Sequence, residues 1–235
     1  RLLKKAPPHG RGTKKHVFWE ALTVKKIPFG PDWPRREHFF HFIEDVRCVV
    51  NITHRVDVTE LVQAVRQSGR RFYAVYIALV THRRSEFRMT RHEQGEPCFF
   101  EQVSPSYVIF HEDTETFTAL VTPWTGEFES FYNALVRDME RYKNDPRRQI
   151  PCGMTEGTFD ISCLPWLDLD SFDMQIFGEG AYLPPIITWG RYVRRGGRVE
   201  MPVALELHHA AADGFHMARF FRELEEEGRA LAKKL

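Results

Sequence analysis

Two glycines at 196 and 197 precede a run in which Val199, Met201, Val203, Leu205 and Leu207 alternate with other residues. No other feature constrains the fold as strongly. A period of two puts every second side chain on one face of a strand, so this strand has one wholly apolar face. Paired glycines supply the positive φ that a tight turn needs, so 185–194 and 198–208 are predicted to form a hairpin. The second strand runs into His208-His209, and from Gly214 the apolar residues Phe215, Ala218, Phe220 and Phe221 take up helical spacing. The chain must therefore turn a strand-to-helix corner at 209–213.

Three further helices are predicted. Asp57 followed by Glu60 reads as a variant capping box, and Gly69 closes that helix. Residues from Phe72 to about Arg84 form a second, mostly buried helix. Phe128, Phe131, Tyr132, Leu135, Val136, Met139 and Tyr142 recur at helical spacing and give the third an apolar face. Short aromatic or β-branched runs at 107–111, 117–122, 159–164 and 172–177 read as strands. Strands and helices interleave without a regular βαβ period. The fold class is α/β, a mixed β-sheet with packed helices in a two-layer sandwich.

The chain has 235 residues, 43% hydrophobic and 28% charged, enough apolar material for a core without disulfides. Its formal charge of +1 gives no basic field for nucleic acid or acidic lipid. The longest apolar run, Ala74 to Val80, falls well short of the roughly 18–20 residues a membrane span needs. Cys48, Cys98, Cys152 and Cys163 are scattered, as reduced thiols of a cytoplasmic protein are. Residues 1–29 begin with a basic arm and are expected to lie outside the fold; 30–235 are expected to form one domain.

Chemistry concentrates at His208-His209-Ala210-Ala211-Ala212-Asp213-Gly214. A strand–helix corner holds side chains rigidly and leaves their tips exposed. A histidine there suits general-base work, and an aspartate near a helix start is favoured by the helix dipole. On the residues alone two other readings stand. The histidines are ordinary filler, or His208, His209, Asp213 and His216 bind a metal, although no H-E-x-x-H or cysteine-rich pattern accompanies them.

HHAAADGFHMARFF resembles the H-H-x-x-x-D-G signature of the chloramphenicol acetyltransferase superfamily, and in its longer form the type A chloramphenicol acetyltransferases. WPRREHF at 33–39, RFYAVYIALV at 71–80, EFRM at 86–89, FHEDTETFTAL at 110–120, MERYKND at 139–145, ISCLPWLDLDSF at 161–172 and PIITWGRY at 185–192 are similar in the same order. The likeness covers roughly residues 30 to 225.

The resemblance implies a homotrimeric enzyme with active sites at subunit interfaces. It binds acetyl-CoA as co-substrate and holds no permanent cofactor or metal. His209 is implied as the base that takes the proton of the acceptor hydroxyl in a ternary complex. Ser162, otherwise a strand serine facing water, is implied to donate to the oxyanion, and Thr188 to hold the intermediate through water. Asp213 is implied to pair with Arg35 and fix the corner. Tyr192, Trp166 and Arg191 match positions beside CoA. His41, Phe42, Val46, Cys48, Phe117, Ala119, Ile150, Met174 and Ile176 are implied to wall the acceptor pocket.

Here the sequence departs from the family pattern. His41 stands for an aromatic residue, Phe42 for tyrosine, Val46 for leucine, Ile150 for phenylalanine and Met174 for leucine. The segment from Thr81 to Glu86 is also shorter. The resemblance implies chloramphenicol as acceptor, while the altered wall keeps open another alcohol or xenobiotic. A non-catalytic trimer that sequesters a hydrophobic ligand is the remaining alternative.

Overall fold

The computed structural model describes residues 24–235 except 82, 83, 93, 153, 155, 178 and 179. Most of the expected N-terminal extension, residues 1–23, lies outside the described residues. Residues beyond that are part of the fold: β1 (Lys26–Pro28) pairs with β4 (Pro97–Phe100), which also pairs with β3 (Met89–Arg91), so the expected boundary at residue 30 cuts after a strand of this small sheet.

The main sheet has seven strands. Six lie in the order β2 (Val49–Asp57), β10 (Arg198–His208), β8 (Ile186–Gly190), β7 (Thr158–Leu164), β5 (Ser104–His111), β6 (Thr116–Val121), and β9 (Val193–Arg195) pairs with the start of β10. The neighbours β5, β7 and β8 are parallel; the other pairs are antiparallel. The sheet is therefore mixed, as expected. The predicted hairpin forms around Gly196 and Gly197, both at positive φ.

One face of the sheet carries the helices α2 (Thr59–Gln67), α3 (Phe72–Thr81), α4 (Phe128–Tyr142) and α5 (Gly214–Ala232). The alternation read in the sequence sorts the faces. Met201, Val203, Leu205 and Leu207 join the buried core with Leu61, Ile77, Leu135, Met217 and Phe220 from the four helices. α3 is buried on nearly every side from Ala74 to Thr81, which suits a helix whose residues are apolar all round.

The opposite face of β2 and β10 is covered by 165–177, which form no strand. The expected strand at 172–177 is instead an irregular strap. Its alternation of Phe172, Met174 and Ile176 is real, but the backbone N–H groups find side chains, not a neighbouring strand. Phe172 N donates to Thr53 Oγ1 (3.2 Å) and Met174 N to Glu206 Oε2 (2.9 Å). Arg55 holds the start of the strap through Asp168, Asp170 and the Leu169 carbonyl. Gly190 lets the strap approach: a Cβ there would sit 2.6 Å from the Leu167 carbonyl oxygen.

Among the described residues no helix is long and apolar enough to cross a membrane. All four cysteines are free.

Candidate active site

β10 ends at His208, and the chain turns through 209–213 into α5. Ala210, Ala211 and Ala212 are wholly buried, so this turn has room for a methyl group and little more. Three contacts fix His209. Its N–H donates to the Cys48 carbonyl (2.9 Å), which carries the β10–β2 pairing one step past the strand end. Its carbonyl accepts from Arg35 Nη2 (3.1 Å). Its ring lies flat on Phe42, centroids 3.9 Å apart and planes 8° from parallel. Nδ1 is buried and has no hydrogen-bond partner among the described residues.

The segment before β2 supplies these contacts. Arg35 precedes the short helix α1 (Arg36–Phe40), and Phe42 sits on the π-helical turn His41–Asp45 that follows it. Such turns widen a helix by a residue and recur at functional sites. Sequence reading gave no helix here. The extra turn is what aims Phe42 at the imidazole.

Arg35 Nη1 lies 2.5 Å from Asp213 Oδ2, so the two segments expected to pair do so. Asp213 is also the N-cap of α5: its Oδ1 accepts from Phe215 N (3.0 Å) and lies 2.8 Å from His216 Nδ1. Burial alone would raise the Asp213 pKa. The His216 hydrogen bond and the charges of His216 and Arg35 outweigh it and hold the carboxyl below its ordinary range. His216 entered the sequence reading only as a possible metal ligand; here it is the capping partner of Asp213. His208 is buried, and burial, then His209 and Arg47, push its pKa down. Among the described residues no group of three or more His, Cys, Asp or Glu is placed to hold a metal ion.

Ser162 and Thr188 are register partners on the parallel strands β7 and β8, with hydroxyls 2.8 Å apart. Both belong to the face that bears the strap. Thr188 pairs in turn with Ala204 on β10, four residues before His208. Four residues along a strand and two strands across place Ser162 about 17–20 Å from His209 within one chain.

The expected acceptor wall is split. Phe42 and Cys48 stand beside His209. His41 faces Asp45, with its Nδ1 3.1 Å from Oδ2. Met174 and Ile176 ride on the strap, and Val46 lies before β2. Phe117 and Ala119 are on β6, with Ile150 N donating to the Ala119 carbonyl (2.9 Å). That group is four strands from β10, about 19 Å across the sheet. Val46, Phe117, Met174 and Ile176 are 48%, 51%, 44% and 48% exposed, large apolar groups facing outward.

Trp166 and Tyr192 follow the ends of β7 and β8 and so share one rim of the sheet. Trp166 meets Phe110 edge-on and borders a cleft of about 450 Å³ with Arg71, Tyr73, Lys143 and Cys163. Tyr192 packs edge-on against Phe72, and Arg191 N donates to the Leu167 carbonyl (2.6 Å). Arg71, Tyr73 and Lys143 were not expected at this cleft. Their signal was weak, because basic and aromatic residues at helix ends are common on any surface.

A mixed sheet with helices on one face, delivering a histidine to a strand–helix corner, is a two-layer fold class that solved structures share. One solved structure of this form is titled chloramphenicol acetyltransferase: TM-score 0.71, 20% identity, 83% of this chain and 95% of the other. Another is a probable dihydrolipoamide acetyltransferase from Listeria monocytogenes: TM-score 0.59, 14% identity, 88% of this chain and 94% of the other. Within that class the sequence is more specific. The family model for chloramphenicol acetyltransferase matches residues 26–225. The chloramphenicol acetyltransferase of Clostridium perfringens is 36% identical over 197 residues, covering 83% of this chain and 93% of the relative. Chloramphenicol acetyltransferase 3 of Escherichia coli is 36% identical over 198 residues, covering 83% and 92%. The chain belongs to the chloramphenicol acetyltransferase family.

Proposed function

We propose that this chain transfers the acetyl group of acetyl-CoA to a hydroxyl of chloramphenicol, with His209 as general base in a ternary complex. The observation that carries the reading is the corner itself. A histidine is held on both backbone sides and on one ring face, with Nδ1 buried, and the reading gives the proton transfer to Nε2. Fixing base and substrate in one geometry is where such a site gains most of its rate.

In the proposed step His209 Nε2 takes the hydroxyl proton while the oxygen attacks the thioester carbonyl carbon. A C–O bond forms, and the carbonyl oxygen becomes an oxyanion. Ser162 Oγ–H donates to that oxyanion, and Thr188, 2.8 Å away, donates to Ser162 and fixes its hydroxyl. Collapse breaks the C–S bond, and the imidazolium returns its proton to the CoA sulfur. Arg35 and Asp213 take no part in proton transfer; they set the corner.

Ser162 and His209 are too far apart in one chain to serve one acyl centre. The reading therefore requires the His209 of one copy to face the Ser162 of another, and a cyclic homotrimer closes that arrangement. The outward apolar residues of the wall support such a second surface. Trp166, Tyr192 and Arg191 would line the path of acetyl-CoA, and Val46, Phe117, Ala119, Ile150, Met174 and Ile176 the acceptor pocket. We further infer one acetyltransferase domain from β1 onward, working in the cytoplasm.

The test is release of free thiol from acetyl-CoA with chloramphenicol present and absent. Release that depends on chloramphenicol, and falls by about 10²–10⁴ in His209→Ala, supports the reading. Release with another alcohol but none with chloramphenicol replaces the acceptor and keeps the chemistry. His41, which stands for an aromatic residue of the family pattern, lies 3.1 Å from Asp45, and this polar pair favours that second reading. No thiol release with any acceptor overturns both.

A further inference from the structure

Glu206 is a carboxylate in the middle of the apolar strand β10. Its neighbours Leu205 and Leu207 point to the helices; Glu206 points under the strap and is 6% exposed. Burying a carboxylate is costly unless it is hydrogen-bonded or paired. No cation pairs with it among the described residues. Its Oε2 accepts from Met174 N (2.9 Å) and from Asn51 Nδ2 (3.4 Å), and the same Asn51 amide donates to Asp173 Oδ1 (2.8 Å).

The other ties of the strap lie earlier. Arg55 holds 168–170, Thr53 holds Phe172 and Asn51 holds Asp173. Past Met174, among the described residues, no hydrogen bond joins the strap to the sheet before Tyr182 Oη reaches Asp160 Oδ2. Met174 and Ile176 are thus held from one side, by Glu206 at the Met174 N–H and by the Asn51–Asp173 hydrogen bond just before it.

We propose that Glu206 is a positioning residue for the acceptor: its carboxylate holds the Met174–Ile176 stretch over the sheet and so sets one wall of the acceptor pocket. The inference rests on the acetyltransferase reading for the identity of that wall, and on the Met174–Glu206 hydrogen bond alone for the tie. A carboxylate oxygen aimed at a backbone N–H fixes a main-chain position, which no apolar side chain does. The strap can then present outward side chains that have no part in holding it.

The experiment compares Glu206→Leu and Glu206→Gln with wild type, using chloramphenicol and acetyl-CoA as varied substrates and amide hydrogen exchange resolved over 172–177. In Glu206→Leu the KM for chloramphenicol is expected to rise about tenfold, with the KM for acetyl-CoA within about twofold of wild type. The Met174 amide is expected to lose protection while the Phe172 amide keeps it. Glu206→Gln retains a carbonyl oxygen for Met174 N–H, and both KM values should return to near wild type. A rise in both KM values together, or a Met174 amide as protected in Glu206→Leu as in wild type, overturns the proposal. If Glu206→Leu does not fold, Asn51→Ala, compared with Asp173→Ala to subtract the Asn51–Asp173 tie, removes the donor that orients the carboxylate. It should shift the chloramphenicol KM alone by about threefold, and an unchanged value counts against the tie. Should wild type turn over no acceptor, the functional reading fails, and hydrogen exchange at Met174 still decides whether Glu206 holds the strap.

Discussion

The two halves of the candidate site are built in opposite ways. The His209 corner is closed within one chain. Three buried alanines, one backbone pairing and one ion pair fix the corner, and one stacked ring covers a face of the imidazole. The proposed acceptor wall is open: Val46, Phe117, Met174 and Ile176 are each about half exposed and come from β6, the strap and the turn before β2. In the proposed reading the base is preorganised by folding, and the pocket it would serve is completed by association. A site divided this way separates the part that must be rigid for any acyl transfer from the part that selects the acceptor.

The largest effect comes from separating the halves genetically. His209→Ala alone should lose about 10²–10⁴ in kcat, and Ser162→Ala about 10²–10³. If the two residues of one site come from different copies, co-refolded mixtures of these inactive variants will regain activity, because some sites receive both wild-type residues. A mixture as inactive as its components, with mixed assemblies verified by mass, would place both residues of a site in one chain.

Next in size is the lock on the corner. Asp213→Ala removes the α5 cap and strands Arg35, whose guanidinium is mostly buried. Loss of such a cap costs about 0.5–2 kcal/mol, and loss of the ion-pair partner adds to it. The unfolding midpoint should drop by roughly 4–8 °C, and kcat should fall with little change in the KM for chloramphenicol. An unchanged midpoint would mean that the corner is held by packing alone.

The smallest effect is on pH dependence. Burial, with His209 and Arg47 nearby, disfavours the charged form of His208, so its contribution to stability is complete above about pH 6.5 and declines as pH falls below that value. The depressed carboxyl of Asp213 contributes fully above about pH 4, and that contribution is lost as pH falls through its lower folded value. Thermal melts should therefore decline in two stages on acidification. His208→Gln should remove the upper stage, and a single stage in wild type would contradict the assignment.

The corner was legible because its signal is a change of period. Alternation over 199–207 gives way to helical spacing after Gly214, and a strand–helix corner is the one structure that accommodates both. α4 was equally plain from its apolar stripe. β2 was missed because Asn51, Thr53 and Arg55 break up its apolar pattern; these are the residues that tie down the strap. The strap was misread as a strand for the complementary reason. Its outward residues alternate, but its N–H groups are satisfied by side chains that no local pattern reveals. Arg35 and Asp213, 178 positions apart, were linked by family likeness alone, since nothing local to either residue points to the other.

The strap is held mainly at its backbone and at three acidic side chains, Asp168, Asp170 and Asp173, so Met174 and Ile176 carry no structural duty of their own. Random substitution at these two positions should therefore be cheap in folded protein and rich in altered acceptor preference. New substrate ranges within this scaffold can arise there one residue at a time, without passing through variants that fail to fold.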